Sequence, residues 1–277
     1  MDISVVIGVH GDLRLKNCLD SIDEDVEVII SLNAPTDPLM NLVNNLLQQK
    51  KEHGAYEKLS FSLCTIDYPS IAGAYNNGIL HASNQKVLLM DSDCLFTKGC
   101  IRIMDTYLNQ YRIVKGNLVF SHYGFLTAIV AKAREFHATD QVKAYKPPLL
   151  FKKDIIHTIG GYYFHPSLCW LEDSEFDFRI QKAGLAIAYD ACAVVIHAPL
   201  TPARDLRSAF WYGVGKQIGV RLGIHSRPTG AIASIKKYIF EGCRRKGFLT
   251  GCYLYIWKLT LLLGYHSQRI FHLRSEK

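Results

Sequence analysis

The chain has 277 residues, 49% hydrophobic and 21% charged, a balance that allows a large buried core and excludes an intrinsically disordered chain. Its net charge of +7 is unevenly placed. Residues 201–277 carry 14 Lys and Arg against 3 Asp and Glu, a local balance of +11 that leaves −4 for the first 200. Eight cysteines without a Cys-x-x-Cys pair argue against a zinc site or a disulfide scaffold, and for reduced thiols in a cytoplasmic protein. The opening Met1-Asp2-Ile3-Ser4-Val5-Val6-Ile7 has neither a basic n-region nor a small-residue cleavage site, so no signal peptide is expected.

Strand and helix signals then alternate. Ile3–Val9 predicts a strand and Leu13–Ile22 a helix; Val26–Leu32 predicts a second strand, closed by the breaker-rich Asn33-Ala34-Pro35-Thr36-Asp37-Pro38. Leu39, Leu42, Val43, Leu46 and Leu47 recur at helical spacing. Leu59–Ile66 predicts a third strand, Ile71–Ala82 a helix and Val87–Met90 a fourth strand. Four strands alternating with three helices indicate an α/β fold with a doubly wound, mostly parallel sheet. Further on, Ile101–Leu108 looks helical, whereas Arg112–Phe120 and Phe125–Lys132 look like strands. Lys146-Pro147-Pro148 ends a polar stretch that reads as a surface loop. A helix over Glu172–Ala183 and short strands over Leu185–Tyr189 and Ala193–His197 follow, and from Pro202 onward the pattern is helical and basic.

The fourth strand carries the first sign of chemistry. Lys86-Val87-Leu88-Leu89-Met90 is apolar throughout, as in a strand buried on both faces, and ends in Asp91-Ser92-Asp93. Open α/β sheets bind their ligands at the carboxyl ends of strands. If the backbone stays extended there, Asp91 and Asp93 point to one side and their charges converge on a spot that suits a cation. Taken alone, the pair also fits two turn or helix-cap aspartates. The turn after the first strand, Gly8-Val9-His10-Gly11-Asp12, is not a G-x-G-x-x-G fingerprint, and no P-loop is present.

Four pieces in order resemble the family 2 glycosyltransferases, inverting nucleotide-sugar enzymes with the GT-A fold. Ser4-Val5-Val6-Ile7-Gly8-Val9 is similar to the opening strand, and Gly73-Ala74-Tyr75-Asn76-Asn77-Gly78-Ile79 to the segment before the metal-site strand. Asp91-Ser92-Asp93 follows at the expected distance. Gly160-Gly161 and the later Glu172-Asp173 through Arg179 and Gly184 resemble the family's glycine pair and acidic block. The resemblance implies a GT-A domain over residues 1–202 and leaves the tail mostly unexplained; the helical, basic pattern of 203–277 reads as an extension for acceptor or membrane association.

It also implies roles for particular residues. Asp93 is a direct ligand of Mn²⁺ or Mg²⁺, Asp91 reaches the ribose or the metal through water, and His197 completes the metal site; outside the family, a lone His after a strand is more often an ordinary packed residue. Val9, Asn33, Asp67, Asn76, Asp91 and Ser92 face the donor. Asp173 is the base that takes the acceptor's proton, and Glu172 positions the acceptor. Without the family, these acids equally complement a helix dipole, and Glu175 with Arg179 reads as an i,i+4 pair. One departure matters: where relatives often carry an aspartate after the second strand, this chain has Asn33, which leaves the nucleotide open.

The implied activity is transfer of a sugar from a nucleotide-sugar donor, most naturally a UDP-sugar, to a hydroxyl of a glycan or lipid-linked acceptor. Bacterial surface polysaccharide or glycoconjugate assembly is the expected setting. A sugar nucleotidyltransferase, or a catalytically inactive relative acting as an assembly partner, are the competing readings. Phe248–Tyr265 is apolar almost all round, is preceded by Arg244-Arg245-Lys246, and falls short of the ~20 residues a spanning helix needs. Docking on the inner face of an anionic membrane is the first expectation for this segment, with packing on the domain or a second subunit as the second and a true span as the third. No nucleic-acid motif accompanies the basic charge.

Overall fold

The computed structural model describes residues 1–53, 56–137, 142–168 and 170–275. In chain order its elements are β1 (Ile3–Val9), α1 (Leu15–Asp20), β2 (Val26–Asn33), α2 (Asp37–His53), β3 (Leu59–Ile66), α3 (Ile71–His81), β4 (Lys86–Asp91), β5 (Cys94–Phe96) and α4 (Cys100–Tyr107). Then come β6 (Ile113–Phe120), α5 (Phe125–His137), β7 (Leu149–Lys152), α6 (Glu172–Lys182), β8 (Ile187–His197), α7 (Pro202–Arg221), α8 (Ala231–Ile235), α9 (Gly242–Lys246) and α10 (Phe248–Ser275). They divide into two compact units. The first comprises Met1–Leu118, Val142–Pro166 and Glu172–His197; the second comprises Val119–Gln141, Ser167–Leu171 and Ala198–Lys277.

The first unit is an α/β layer structure around an eight-stranded sheet in the order β3-β2-β1-β4-β7-β6-β8-β5. The β3-β2-β1-β4 half is parallel, with Val5 level with Val28 and Leu88. β7 is antiparallel to both β4 and β6, and β5 is antiparallel to β8. The alternation of side chains along a strand explains the apolar runs. Ile3, Val5, Ile7, Leu88 and Met90 enter one core, with Leu15, Leu39 and Met104. Val6, Val87 and Leu89 enter the other, with Tyr75, Ile79 and Phe176. With both faces covered, the central strands have no polar side to show.

Three local expectations are corrected. Phe125–Lys132, rich in strand-forming residues, is the body of helix α5. The Thr127 hydroxyl accepts the N–H groups of Tyr123 and Gly124 at the start of that helix, while Val130, Ala133 and Phe136 fall on one buried face. The two short strands expected over Leu185–Tyr189 and Ala193–His197 are one strand, β8. The segment Lys146-Pro147-Pro148 is not a surface loop: both prolines are buried, and Lys146 enters the site described below.

The second unit is helical. Gly213 of α7 and Gly264 of α10 let these helices cross in backbone contact, since a Cβ at either would collide with the carbonyl of Leu261 or Phe210. Beside the crossing, Ala209, Tyr253, Leu254 and Trp257 form a core with Val130, Ala133 and Phe136. Asp205 is buried there and accepts from Arg134 Nε at 2.5 Å and from the Tyr253 hydroxyl at 2.6 Å. α10 runs 28 residues, and Phe248–Ser267 is long and apolar enough to cross a membrane, longer than the sequence pattern indicates. Its outer face shows Leu249, Ile256 and Leu263, 50%, 49% and 66% exposed, at seven-residue spacing along one line.

Candidate active site

The site is built in the first unit, at the carboxyl end of β4. The strand ends at Asp91 and the chain turns through Ser92 and Asp93 instead of running on extended. It then enters β5, whose Cys94 lies opposite His197 of β8. This antiparallel register is what brings a residue from the end of β8 to the acidic turn: His197 Nε2 stands 3.5 Å from Asp93 Oδ2. Arg14, in the turn after β1, also reaches that oxygen, with Nη2 at 3.1 Å, and its Nε donates to Asp12 Oδ1 at 2.9 Å. Burial pushes the Asp93 carboxyl up, Asp91 adds to the rise, and His197 and Arg14 oppose it.

Asp91 faces a different neighbour. Tyr75 of α3 is buried beside it, and its hydroxyl donates to the Asp91 carboxylate and to Met90 O, the latter at 2.9 Å. Above the Tyr75 ring sits Lys146, with Nζ 4.5 Å from the centroid. The same Nζ is 2.9 Å from Glu172 Oε1, and both side chains are nearly closed to solvent, at 9% and 4% exposure. Burial works against the charge on Lys146, but Glu172, Asp91 and Asp173 outweigh it and hold its pKa above the ordinary lysine value.

Glu172 and Asp173 open α6. Burial, reinforced by the neighbouring Glu172, raises the Asp173 carboxyl to about 7; Lys146 and the Ser174 N–H counteract it. A second lysine bears on this group from β6. Lys115 Nζ donates to Pro147 O at 2.7 Å and Pro148 O at 3.3 Å. Burial lowers its pKa to about 7 against the opposing pull of Asp173 and Asp91. The site therefore joins a carboxylate–imidazole pole (Asp93, His197) to an acid pair (Glu172, Asp173) through Asp91, Tyr75 and two partly buried lysines.

The glycine pair makes a turn that is fastened to α6. Gly160 and Gly161 have φ of 101° and 85°, a region that L side chains avoid. Arg179 clamps the turn they make, donating to Ile159 O at 2.8 Å and Tyr162 O at 2.7 Å while its Nε holds Glu175 at 2.6 Å. Arg179 and Glu175 therefore act as structural supports. Asp177 likewise accepts the Ala144 N–H at 2.8 Å and ties down the segment that carries Lys146.

The remaining expected donor residues are placed unevenly. Val9 is packed in the core beneath β1, so only its backbone can meet a ligand. Asn33 is buried, its Oδ1 accepting the Ser70 N–H at 2.8 Å and its carbonyl meeting His10 Nδ1 at 2.8 Å. Asn76 uses both ends of its amide on the backbone of Phe164, at 2.8 and 2.9 Å. Ser92 is buried in the turn and Asp67 is exposed after β3. Arg14, Tyr75, Lys115 and Lys146 are functional candidates that sequence pattern alone does not single out.

The donor set fits a divalent cation. Ligand atoms of Asp93, Cys94 and His197 lie within 4.8 Å of one another. Burial and the nearby Asp91 and Asp93 hold the Cys94 thiol well above its usual range, which leaves a carboxylate and an imidazole as donors, a combination suited to Mn²⁺.

Solved structures share this fold. S. aureus TarS matches with a TM-score of 0.55 at 14% identity over 87% of this chain, which spans 46% of that protein's length. TarS 1-349, solved with UDP-GlcNAc, matches at 12% identity with a TM-score of 0.55, covering 99% of this chain and 92% of that one. The mannosyltransferase PcManGT from Pyrobaculum calidifontis, in complex with GDP-Man and Mn²⁺, matches at 18% identity with a TM-score of 0.60, over 97% of this chain and 75% of that one. No curated protein matches the chain by sequence. Residues 4–161, more than half of the chain, match the family model for glycosyl transferase family 2, and the protein belongs to that family.

Proposed function

We propose that the protein is an inverting, metal-dependent glycosyltransferase that moves a sugar from a nucleotide-sugar donor, a UDP-sugar first among them, to a hydroxyl of a glycan or lipid-linked acceptor. What carries this reading is the pairing of a carboxylate–imidazole pole with an acid whose proton affinity is raised to about 7. Asp93 and His197, with Asp91 beside them, would hold Mn²⁺ or Mg²⁺, which when bound stabilises the charge that develops on the departing diphosphate. Arg14 adds a positive charge at the same pole.

Asp173 takes the proton of the acceptor hydroxyl as the oxygen attacks the anomeric carbon. A base whose pKa lies near the working pH serves this step best. Glu172, held by Lys146, orients the acceptor, and Lys146 in turn limits how far the Asp173 pKa climbs. Tyr75 fixes Asp91 on the donor side. Val9, through its backbone, and Asn33, Asp67, Asn76 and Ser92 complete the donor pocket in this reading.

The outer apolar line of α10, with exposed Arg244 and Arg245 just before the helix, supports peripheral docking on an anionic membrane at the inner face of the cell. Burial of one α10 face in the core of its own unit favours an interfacial helix over a spanning one. Residues 203–277 would then serve membrane or acceptor association, and a role in surface polysaccharide assembly follows from a lipid-linked acceptor. The test is a panel of UDP-, GDP- and dTDP-sugars, assayed with Mn²⁺ for donor hydrolysis and for transfer. Turnover of one nucleotide class, lost on chelation, supports the reading. A protein that splits none of them is an inactive relative.

A further inference from the structure

Among the described residues, a buried cation in the helical unit has no acid paired with it. Lys258 lies on the inner side of α10 between Leu254 and Leu262 and is 5% exposed. The charged groups that bear on it are Lys216 of α7 and Lys237, in the π-helical turn that follows α8. Both are cations. Lys258 Nζ is 5.9 Å and Lys237 Nζ 5.7 Å from the centroid of the same ring, that of Tyr238. Exposure is graded across the group: Lys237 is open to solvent, Lys216 half-buried and Lys258 enclosed.

Packing alone does not account for this arrangement. Arg134, largely enclosed in the same unit, is paired with Asp205, as a buried charge needs to be. Around Lys258 the nearest charges repel it, and a leucine in its place would fill the same apolar position without that cost. Burial and the two neighbouring lysines bring its pKa down only to about 8, so at neutral pH the ammonium still carries its proton.

We propose that Lys237 and Lys258, which share the ring of Tyr238, form with the neighbouring Lys216 a binding site for a phosphate-type anion, a phosphomonoester or a diphosphate. A cluster of ammonium groups matches a multiply charged ligand better than a monovalent one. The partly buried ring of Tyr238 lowers the local polarity, which strengthens a charge contact made beside it. The Lys237 opening admits the anion from solvent or from a lipid headgroup, and the phosphate chemistry is common to both sources. This site lies within the helical unit and does not depend on the glycosyl transfer proposed above.

The test uses the full chain in EDTA, so that no divalent cation attaches phosphate to the carboxylate site. Inorganic pyrophosphate and inorganic phosphate are titrated calorimetrically at constant ionic strength. Binding to phosphatidylcholine vesicles with and without phosphatidic acid is followed by flotation. Wild type should bind at least one of these phosphate forms, and Lys258→Met should weaken that binding about tenfold or more, the loss of one charge-assisted contact. Binding of free pyrophosphate assigns a soluble ligand, whereas binding confined to phosphatidic acid vesicles assigns a headgroup. Lys237→Gln, at an exposed position, should weaken the same binding several-fold and serves as the probe if Lys258→Met does not fold. Failure of wild type to bind any of the three, or equal binding by both variants, overturns the site.

Discussion

The two units treat buried charge in opposite ways. In the α/β unit, acids and bases are interleaved: Arg14 between Asp12 and Asp93, Lys146 against Glu172, Arg179 against Glu175. The result is a set of carboxylates with different proton affinities, Asp173 raised to about 7 among them. In the helical unit Arg134 is matched with Asp205 within the core, while the lysines near Tyr238 have no acid partner among the described residues and large apolar side chains face outward. The first arrangement suits chemistry on a bound substrate, because opposed charges tune one another's protonation. The second suits ligands that bring negative charge and apolar surface with them.

The largest effect is expected at Asp93. Asp93→Ala removes the carboxylate of the proposed metal pole and leaves His197 and Arg14 without their shared partner. Transfer should fall by about 10³-fold or more, the scale on which a transition-state charge loses its stabilisation. Initial rates over a range of Mn²⁺ concentrations check this, and near-normal turnover at any of them would remove Asp93 from the site. Asp173→Asn should lower kcat by about 10² to 10⁴ with donor binding little changed. The wild-type pH profile carries the sign. A base must be unprotonated, so with its carboxyl raised to about 7 activity should be low at acid pH and rise through that value. The variant's residual rate should lose this limb. A collapse of donor affinity in its place would put Asp173 in the nucleotide pocket.

Much of this geometry is legible in the chain itself, and the reasons for the rest are specific. The strand run into Asp91-Ser92-Asp93, the Gly160-Gly161 turn and the acids that open α6 are local signals, each within one element or one connection. His197 is visible only as the end of a strand; its place at the site comes from the β5–β8 register, which no local pattern encodes. Lys146 lies in a polar, proline-rich stretch that reads as solvent-facing, yet it meets Glu172 and the ring of Tyr75, contacts set by tertiary topology. Lys115 looks like one charge in an apolar strand. Its neighbours, Pro147 and Pro148, sit beyond the α5 excursion. In α5 itself, Phe125-Leu126-Thr127-Ala128-Ile129-Val130 has strand composition over a short window, and a buried helical face overrides it.

Two parallel deletions sharpen the contrast between the units. Lys146→Met strands Glu172, and Arg134→Met strands Asp205, each acid almost fully buried. Both should destabilise the protein by about 3–5 kcal/mol, the effect of breaking a buried pair from one side, as read by chemical denaturation. They should differ in the pH profile. Lys146 opposes the rise of the Asp173 carboxyl, so Lys146→Met should move the acid limb to higher pH, and Lys146→Arg should largely restore it. Arg134→Met should leave the limb where it is. If both variants move it equally, the limb reports overall stability and not the charge beside Asp173.

The smallest effect belongs to the surface of the helical unit. Arg244 and Arg245 are exposed in the last turn of α9, whereas Lys246 is already held by Glu135 at 2.8 Å. The two arginines are therefore the charges available to an anionic bilayer, although the Arg245 guanidinium also lies 5.3 Å from the Phe136 ring. Each basic residue near such a surface contributes about 1 kcal/mol, so Arg244→Gln with Arg245→Gln should weaken vesicle partitioning by about 30-fold. Added Lys246→Gln should change it less than either arginine, because that charge is partly neutralised in the protein. Raising salt should narrow the gap between wild type and the double variant, since exposed charges are screened over about 8–10 Å near physiological ionic strength. Co-sedimentation with phosphatidylglycerol vesicles across a salt series measures all three terms. The apolar line of Leu249, Ile256 and Leu263 is untouched by these changes, so a residual, salt-insensitive binding should persist in the double variant. Complete loss at low salt would mean that α10's outer face does not enter the bilayer and is covered by protein.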